Sequence, residues 1–363
     1  MNSAPGSATP DLSALAARFR RFATQECAGH SPLYEALSLH IAEDDYLLSL
    51  AARSRPGQPP ANMLFAAVQA CLLRQMEHGL EQGPDQALAT FYPSLTAKPH
   101  PPEEAFPAFR DYCAAQKDAI TALLTSRVVS TNEVQRCACL LPAFGLVAER
   151  SDAPLQLIEV GASAGLNLLW DCYAYDYGAA GLLAPTDARL HLTCAVKSAP
   201  ESFPLPSAMP QVGTRLGIDP FPLDAGDAED LAWLRALIWP EQSTRAERLT
   251  AAAALAVDAD LRMLAGDAIE VLPEALTTLP AEGAVCLYHS FTLNQFPSEA
   301  RARFIALLEE LGRDRLLHRI GLEWGTGEAP ELTLTRHEGS GMPSEHLALC
   351  DAHGSWLSWT AAA

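Results

Sequence analysis

The stretch from Leu155 to Asp171, Leu-Gln-Leu-Ile-Glu-Val-Gly-Ala-Ser-Ala-Gly-Leu-Asn-Leu-Leu-Trp-Asp, decides the fold of this 363-residue chain. Its first part is rich in branched apolar residues, as in a buried parallel strand. The run breaks at residues 161 to 165, and apolar residues then return at helical spacing at Leu166 and Leu169. We therefore predict a strand, a tight turn of small residues and a helix. In α/β sheets, ligands bind at such turns.

Apolar spacing outside this stretch divides the chain into two parts. Residues 11 to 150 have helical periodicity and predict an all-α region, whereas the first ten residues predict a flexible tail. From residue 151 to 363, strand-like and helical segments alternate. This alternation is typical of an α/β fold with a mostly parallel, doubly wound sheet. The strand-like runs after residue 315 predict that the sheet ends in an antiparallel hairpin.

Composition limits the classes of partner. The hydrophobic share of 49% indicates a globular chain, and the formal charge of −19 disfavours binding to nucleic acid or to an anionic membrane. No window approaches the roughly 20 uninterrupted apolar residues of a membrane span. The nine cysteines are scattered without a C-x-x-C pair, which favours a reducing cytoplasm and disfavours a zinc site. We expect a cytoplasmic protein with a small-molecule substrate and no metal, and the oligomeric state stays open.

Three chemistries use a small-residue turn after a buried strand. Dinucleotide binding requires G-x-G-x-x-G, but the second and third glycine positions hold Ser163 and Leu166. A hydrolase nucleophile elbow requires G-x-S-x-G, which residues 161 to 165 match. The third chemistry is binding of S-adenosylmethionine (SAM), whose ammonium, sulfonium and ribose groups favour carboxylates and close backbone. Glu159, at the end of the strand, suits this third ligand.

The hydrolase interpretation needs a histidine and an acid that follow Ser163 in the chain. Several residues satisfy that order: Asp219 or Asp267, then His289, His318 or His346. However, the 150 residues before the turn have helical periodicity and lack a His-Gly-Gly run for an oxyanion hole. The hydrolase therefore stays an alternative rather than the main prediction.

Most of the chain resembles an uncharacterised bacterial family, domain of unknown function 2332. The resemblance lies in these stretches: Ser-Pro-Leu-Tyr-Glu-Ala (31 to 36), Thr-Asn-Glu-Val-Gln-Arg-Cys (131 to 137), Glu-Val-Gly-Ala-Ser-Ala-Gly-Leu-Asn-Leu (159 to 168), Gly-Ile-Asp (217 to 219), Trp-Leu-Arg-Ala-Leu-Ile-Trp-Pro-Glu-Gln (233 to 242), Gly-Asp-Ala (266 to 268) and His-Ser (289 to 290). This family implies no activity.

Residues 151 to 363 also resemble the Rossmann-like class I SAM-dependent methyltransferases. That resemblance implies that Asp267-Ala268 reads the adenine edge and that His289-Ser290 faces the substrate. It implies a SAM site formed by these residues: Glu159, Gly161, Ala162, Ser163, Gly165, Asn167, Asp219, Asp267 and Ala268. The ribose acid should follow the turn by about 20 residues. Asp219 lies much further along, so either an insertion separates the two or another acid holds the ribose.

A polar segment before the strand predicts contacts to the same ligand. Ser130-Thr-Asn-Glu133 fits an S-x-x-E capping box, which predicts a helix that begins at Ser130. Asn132, Glu133 and Arg136 would then lie above the ligand turn, with the helical region as a lid. The tyrosine-rich segment after the turn adds Tyr175 as a residue that could stack on the ligand.

The methyltransferase resemblance implies a SAM-dependent enzyme that acts on a small molecule or a protein side chain. His289 is the candidate base for an oxygen or nitrogen acceptor. A non-catalytic sensor of the same fold, which binds SAM or a nucleotide, is the first alternative. The serine hydrolase that uses Ser163 is the second.

Overall fold

A computed structural model describes residues 11–79, 83–199, 203–338 and 342–361. The predicted tail, residues 1 to 10, lies outside the described residues. The chain divides into two compact units. Unit 1 comprises Met1–Thr131 and Ala228–Glu247, and unit 2 comprises Asn132–Asp227 and Arg248–Ala363. Within the described ranges, no helix is both long enough and apolar enough to cross a membrane.

Unit 1 is helical. Its helices begin at residues suited to that position: the Asp11 and Ser31 side chains accept hydrogen bonds from backbone N–H groups of the first turn. Its core includes Tyr34 stacked on Phe65 at 4.1 Å between ring centroids. The helices are α1 (Leu12–Arg21), which continues as a π-helix (Phe22–Cys27), α2 (Pro32–Ile41), α3 (Asp45–Ala51), α4 (Pro60–His78), α5 (Pro84–Ala89), α6 (Phe106–Ala115), α7 (Lys117–Ser126) and α9 (Ala228–Ala236).

Unit 2 contains the strands. Its helices are α8 (Cys137–Ala148), α11 (Ala268–Thr277) and α12 (Ser298–Asp314), and the unit boundary falls inside α10 (Ser243–Ala256). Its strands are β1 (Leu155–Val160), β2 (Ala174–Asp176), β3 (Leu182–Leu183), β4 (His191–Thr193), β5 (Ala195–Ser198), β6 (Val212–Asp219), β7 (Arg262–Ala265), β8 (Val285–Ser290), β9 (Leu317–Trp324), β10 (Pro330–His337), β11 (Ser344–Cys350) and β12 (Trp356–Trp359).

The main sheet of the described residues has nine strands in the order β5-β12-β11-β10-β9-β8-β1-β6-β7. Strands β7, β6, β1, β8 and β9 are parallel to one another, β9 to β12 form antiparallel pairs, and β5 pairs with β12 in parallel. Chain order reverses between β1 and β8. A small three-stranded sheet, β3-β2-β4, lies in the segment between β1 and β6. It accounts for the long sequence interval between Glu159 and Asp219.

The mixed α/β class, the large mostly parallel sheet and the N-terminal helical region are therefore confirmed, and the antiparallel end extends beyond one hairpin. The predicted region limit at residue 150 differs from the observed limits of the units. Residues 132 to 150 belong to unit 2, where the Phe144 ring of α8 stacks on Trp170 at 4.3 Å. Residues 228 to 247 belong to unit 1, where Trp233 Nε1 donates to the Val128 carbonyl at 2.9 Å.

Two local predictions are wrong. The turn after β1 leads into a 3₁₀ helix (Leu166–Cys172) interrupted at Leu169, not into an α-helix, and the Tyr173 hydroxyl donates to the Leu166 carbonyl. The helix expected from Ser130 starts later, with a 3₁₀ turn (Val134–Arg136) capped by Glu133 and followed by α8. Residues 130 to 133 are not helical, and the Asn132 side chain bonds the turn after β1.

Candidate functional site

Three acids lie at the carboxyl ends of three adjacent parallel strands in unit 2. Glu159 is the penultimate residue of β1, Asp219 is the last residue of β6, and Asp267 follows β7. A backbone hydrogen bond from Gly266 N to the Asp219 carbonyl, at 3.0 Å, joins the ends of β6 and β7. This edge lies beside the reversal of strand order between β1 and β8, which is where open α/β sheets bind ligands.

The turn after β1 uses three residues in the left-handed region. Their φ values are +77° at Gly161, +54° at Ser163 and +72° at Gly165. Serine adopts this conformation at a cost, so its neighbours must hold it. Ser163 N donates to Asp219 Oδ2 at 2.9 Å, and Leu223 N donates to the Ser163 carbonyl at 3.0 Å. Residues around the end of β6 thus fix the turn.

Asn132 bonds the second half of the turn. Its Oδ1 accepts from Ala164 N at 3.3 Å and from Leu166 N at 3.1 Å. Ala164 precedes the 3₁₀ helix and Leu166 is its first residue, so neither N–H group has a carbonyl partner within that helix. Asn132 thus lies beside the turn, and its amide oxygen accepts from two N–H groups that would otherwise be available to a ligand.

Glu159 is a buried carboxyl, with a residue exposure of 2%. Asn167 Nδ2 donates to its Oε1 and the Tyr288 hydroxyl donates to its Oε2, both at 3.3 Å. Burial raises the pKa of Glu159 to about 8, although the bonds from Asn167 and Tyr288 oppose the rise. The nearby Asp219 adds to it, and Arg136 lowers it. Glu159 is therefore mostly protonated at neutral pH and would ionise readily beside a cation.

Asp219 and Asp267 have different surroundings. Asp219 is buried, and its second oxygen, Oδ1, accepts from Phe221 N at 2.8 Å. Asp267 is exposed and caps α11, since its Oδ1 accepts from Ile269 N at 2.9 Å. Ala268 is the first residue of that helix. Both carboxylates are oriented by backbone N–H groups and retain further lone pairs for a ligand.

His289 and Ser290 are consecutive residues of β8, so their side chains point to opposite faces of the sheet. His289 Nδ1 lies 2.7 Å from Glu323 Oε1 of β9, and the residue is 2% exposed. Ser290 Oγ lies 3.5 Å from an Arg136 guanidinium nitrogen. The structure therefore separates the predicted catalytic pair: Ser290 joins the Arg136 side and His289 joins Glu323.

Arg136 links this edge to the loop after β8. Its Nε donates to the Ala352 carbonyl at 3.0 Å, and its guanidinium lies 4.3 Å above the centre of the Phe291 ring. Phe291 has a φ of +54° and meets Trp324 edge-on at 6.3 Å between centroids. Glu133 lies one turn earlier and caps the 3₁₀ turn by accepting from Gln135 N at 3.3 Å.

Tyr175 does not reach the turn. It lies in β2 of the small sheet, is fully buried, and donates its hydroxyl to the Trp170 carbonyl at 2.5 Å. A tyrosine whose ring is enclosed in this way packs the small sheet and does not present a face to a ligand.

Sequence reasoning missed three residues at this edge: Tyr288, Thr292 and Glu323. Glu323 had a usable signal, because it is an acid next to the last residue of a strand, as Glu159 is. Thr292 had no such signal, and its Oγ1 donates to the Val160 carbonyl at 3.1 Å.

Comparison with known proteins gives one match. No curated protein and no solved structure matches the chain. A family model described as "Uncharacterized protein conserved in bacteria (DUF2332)" matches residues 16–359, which include nearly all of both units. The chain therefore belongs to this family of bacterial proteins.

Proposed function

We propose that the chain is a SAM-dependent methyltransferase of Rossmann-like fold. The observation that carries this proposal is the row of acids Glu159, Asp219 and Asp267 at the carboxyl ends of adjacent strands β1, β6 and β7. Asp219 lies on the strand next to β1, which suits the ribose diol despite its distance in sequence. Asp267, on the following strand, suits the adenine amine. SAM, when bound, would supply an activated methyl group.

The charge of the site fits such a ligand. Glu159 is a buried carboxyl that accepts hydrogen bonds from the uncharged side chains of Asn167 and Tyr288, and burial keeps its pKa near 8. A sulfonium or ammonium nearby would stabilise its ionised form. An anionic ligand such as a dinucleotide would instead meet a row of acids. The cationic adenosyl ligand therefore matches this edge better than a pyrophosphate.

His289 is the group best suited to take a proton from the methyl acceptor. It lies near the carboxyl end of β8, the strand that adjoins β1 across the reversal of strand order. Burial lowers its pKa, so the ring is neutral and basic at pH 7. An acceptor with a hydroxyl or amine fits this role. A protein that binds the same ligand at this edge without proton transfer would be a sensor. The role of His289 therefore distinguishes the methyltransferase from the sensor.

Binding of SAM should depend on pH through Glu159. Titration calorimetry should show affinity rising by up to about tenfold per pH unit until pH 8, because ligand binding ionises the buried carboxyl.

Asp267→Ala should weaken SAM binding by about 1–3 kcal/mol. Glu310→Gln, at an exposed position on α12, is the matched control. Failure of both SAM and its demethylated product to bind at millimolar concentration would contradict the cofactor assignment.

The left-handed conformation of Ser163 keeps the hydrolase as a second candidate, since a strained serine marks a nucleophile elbow. Its backbone N–H and carbonyl are both bonded to residues around the end of β6, so the conformation has a structural role in holding the turn. We expect a fluorophosphonate probe to leave Ser163 unlabelled in the folded chain. Mass spectrometry that finds the probe on Ser163, with no labelling in Ser163→Gly, would reverse the ranking of the two functions.

A further inference from the structure

Glu323 has an unusual set of partners for a residue on a strand. Its Oε1 accepts from Thr292 N at 2.9 Å and Leu293 N at 3.0 Å, and its Oε2 accepts from Asn294 N at 3.1 Å. Three successive N–H groups therefore surround one carboxylate, as in the anion-binding loops of other proteins. The fourth partner is His289 Nδ1, at 2.7 Å from Oε1.

These partners fix the charge of Glu323. Burial alone would raise its pKa, but the bond to His289 and the N–H groups of Leu293 and Thr292 bring the pKa below its usual value. Glu323 is therefore an ionised acceptor at neutral pH. An ionised carboxylate accepts and does not donate, so the shared proton belongs to the imidazole at Nδ1.

The other side of the imidazole is different. Nε2 is buried and makes no hydrogen bond within the described part of the chain. The ring lies against Gly321 of β9, where an added Cβ would come within 2.9 Å of Cε1 and 3.4 Å of Nε2. Thr333 Oγ1 of β10 lies 3.1 Å from that same point. With its proton on Nδ1, the imidazole keeps an unpartnered lone pair on Nε2, which is the acceptor position of the ring.

We propose that Glu323 is a positioning residue that holds His289 with its proton on Nδ1 and leaves Nε2 as the proton acceptor. The role of His289 as base rests on the proposed function, but the arrangement of its proton does not. The charged groups that act on the imidazole are Glu323 and Arg319, both on β9, and Thr333 is the neutral neighbour from β10. The positive charge of Arg319 disfavours protonation of the ring at Nε2. The negative charge of Glu323 stabilises the imidazolium that forms when Nε2 accepts a proton.

The proton positions are measurable by NMR of the full chain labelled with ¹⁵N-histidine, without any ligand. His289→Asn identifies the resonances of His289 among the ten histidines. We expect the wild-type ring to carry its proton on Nδ1. Glu323→Gln should lose that preference and lower the pH at which the ring titrates, because the carboxylate that favours the imidazolium is gone. Glu310→Gln, at an exposed position on α12, should leave the His289 signals unchanged.

The wild-type spectrum alone decides the case if Glu323→Gln fails to fold. A proton on Nε2 in the wild type would overturn the proposal, as would a Glu323→Gln variant with unaltered tautomer and titration. SAM titration is a separate measurement. Loss of the cofactor assignment with an Nδ1–H tautomer would leave the Glu323–His289 arrangement in place and remove only its use in methyl transfer.

Discussion

Replacing Glu159 with glutamine should stabilise the protein above pH 8 by about 3–5 kcal/mol, since the pKa rises from 4.5 to about 8 and one pKa unit is worth about 1.4 kcal/mol. The native state keeps a proton on Glu159 that the unfolded chain releases near pH 4.5. Stability should therefore fall as pH rises between these two values, and the loss should be complete above pH 8. Glutamine carries no charge and avoids this loss.

Denaturant unfolding of both proteins across that pH range measures the effect. The curves should converge near pH 4.5 and separate towards pH 8, whereas the exposed control Glu310→Gln should follow the wild type throughout. Equal stabilities at high pH would show that Glu159 is solvated or ion-paired in solution. Because the same exchange should weaken SAM binding, stability and ligand affinity are expected to change in opposite directions.

Replacing Gly161 with alanine should destabilise unit 2 by more than about 3 kcal/mol. The left-handed φ of +77° costs a residue with a Cβ roughly 1–2 kcal/mol. The new Cβ would also come within 2.3 Å of Thr292 Oγ1 and 2.7 Å of its Cγ2. Thr292 cannot retreat cheaply, because its N–H donates to Glu323 and its hydroxyl to the Val160 carbonyl.

A double-mutant cycle separates these two causes. Thr292→Ala removes Oγ1 and Cγ2, so in that background Gly161→Ala should recover about 1–3 kcal/mol of the loss. Gly178→Ala is the matched control, since Gly178 has a φ of +60° and no described atom within 4 Å of the added Cβ. It should show the conformational cost alone. A cycle without coupling would mean that the turn and the loop after β8 do not touch.

The order of strands and helices in unit 2 was largely predictable, because buried parallel strands are short apolar runs separated by helical periodicity. The closing strands around Leu322, Leu334 and Leu347 followed from the same pattern. The position of Glu159 at a strand end was equally visible. In each of these cases, local sequence and tertiary packing favour the same structure.

Other features depend on partners that are distant in sequence. The apolar spacing after Gly165 predicts an α-helix, but side-chain bonds to the backbone, such as that from Tyr173, favour the tighter 3₁₀ form. The pairing of His289 with Glu323 depends on the register of β8 against β9, which no local pattern specifies. The assignment of residues 228 to 247 to unit 1 likewise follows from contacts such as Gln69 Nε2 to the Ile238 carbonyl, at 2.8 Å.

The assembly of unit 1 from two separate segments of the chain has a consequence for synthesis on the ribosome. Unit 1 takes its first segment from before residue 132 and its second from after residue 227. At about 5–20 residues per second, the ribosome needs on the order of ten seconds to make the intervening sequence. During that interval the nascent helices lack the Trp233 ring and the Glu241 carboxylate, which accepts from Ser31 Oγ at 2.7 Å. A chaperone would shield the apolar helix faces of unit 1 until the second segment covers them.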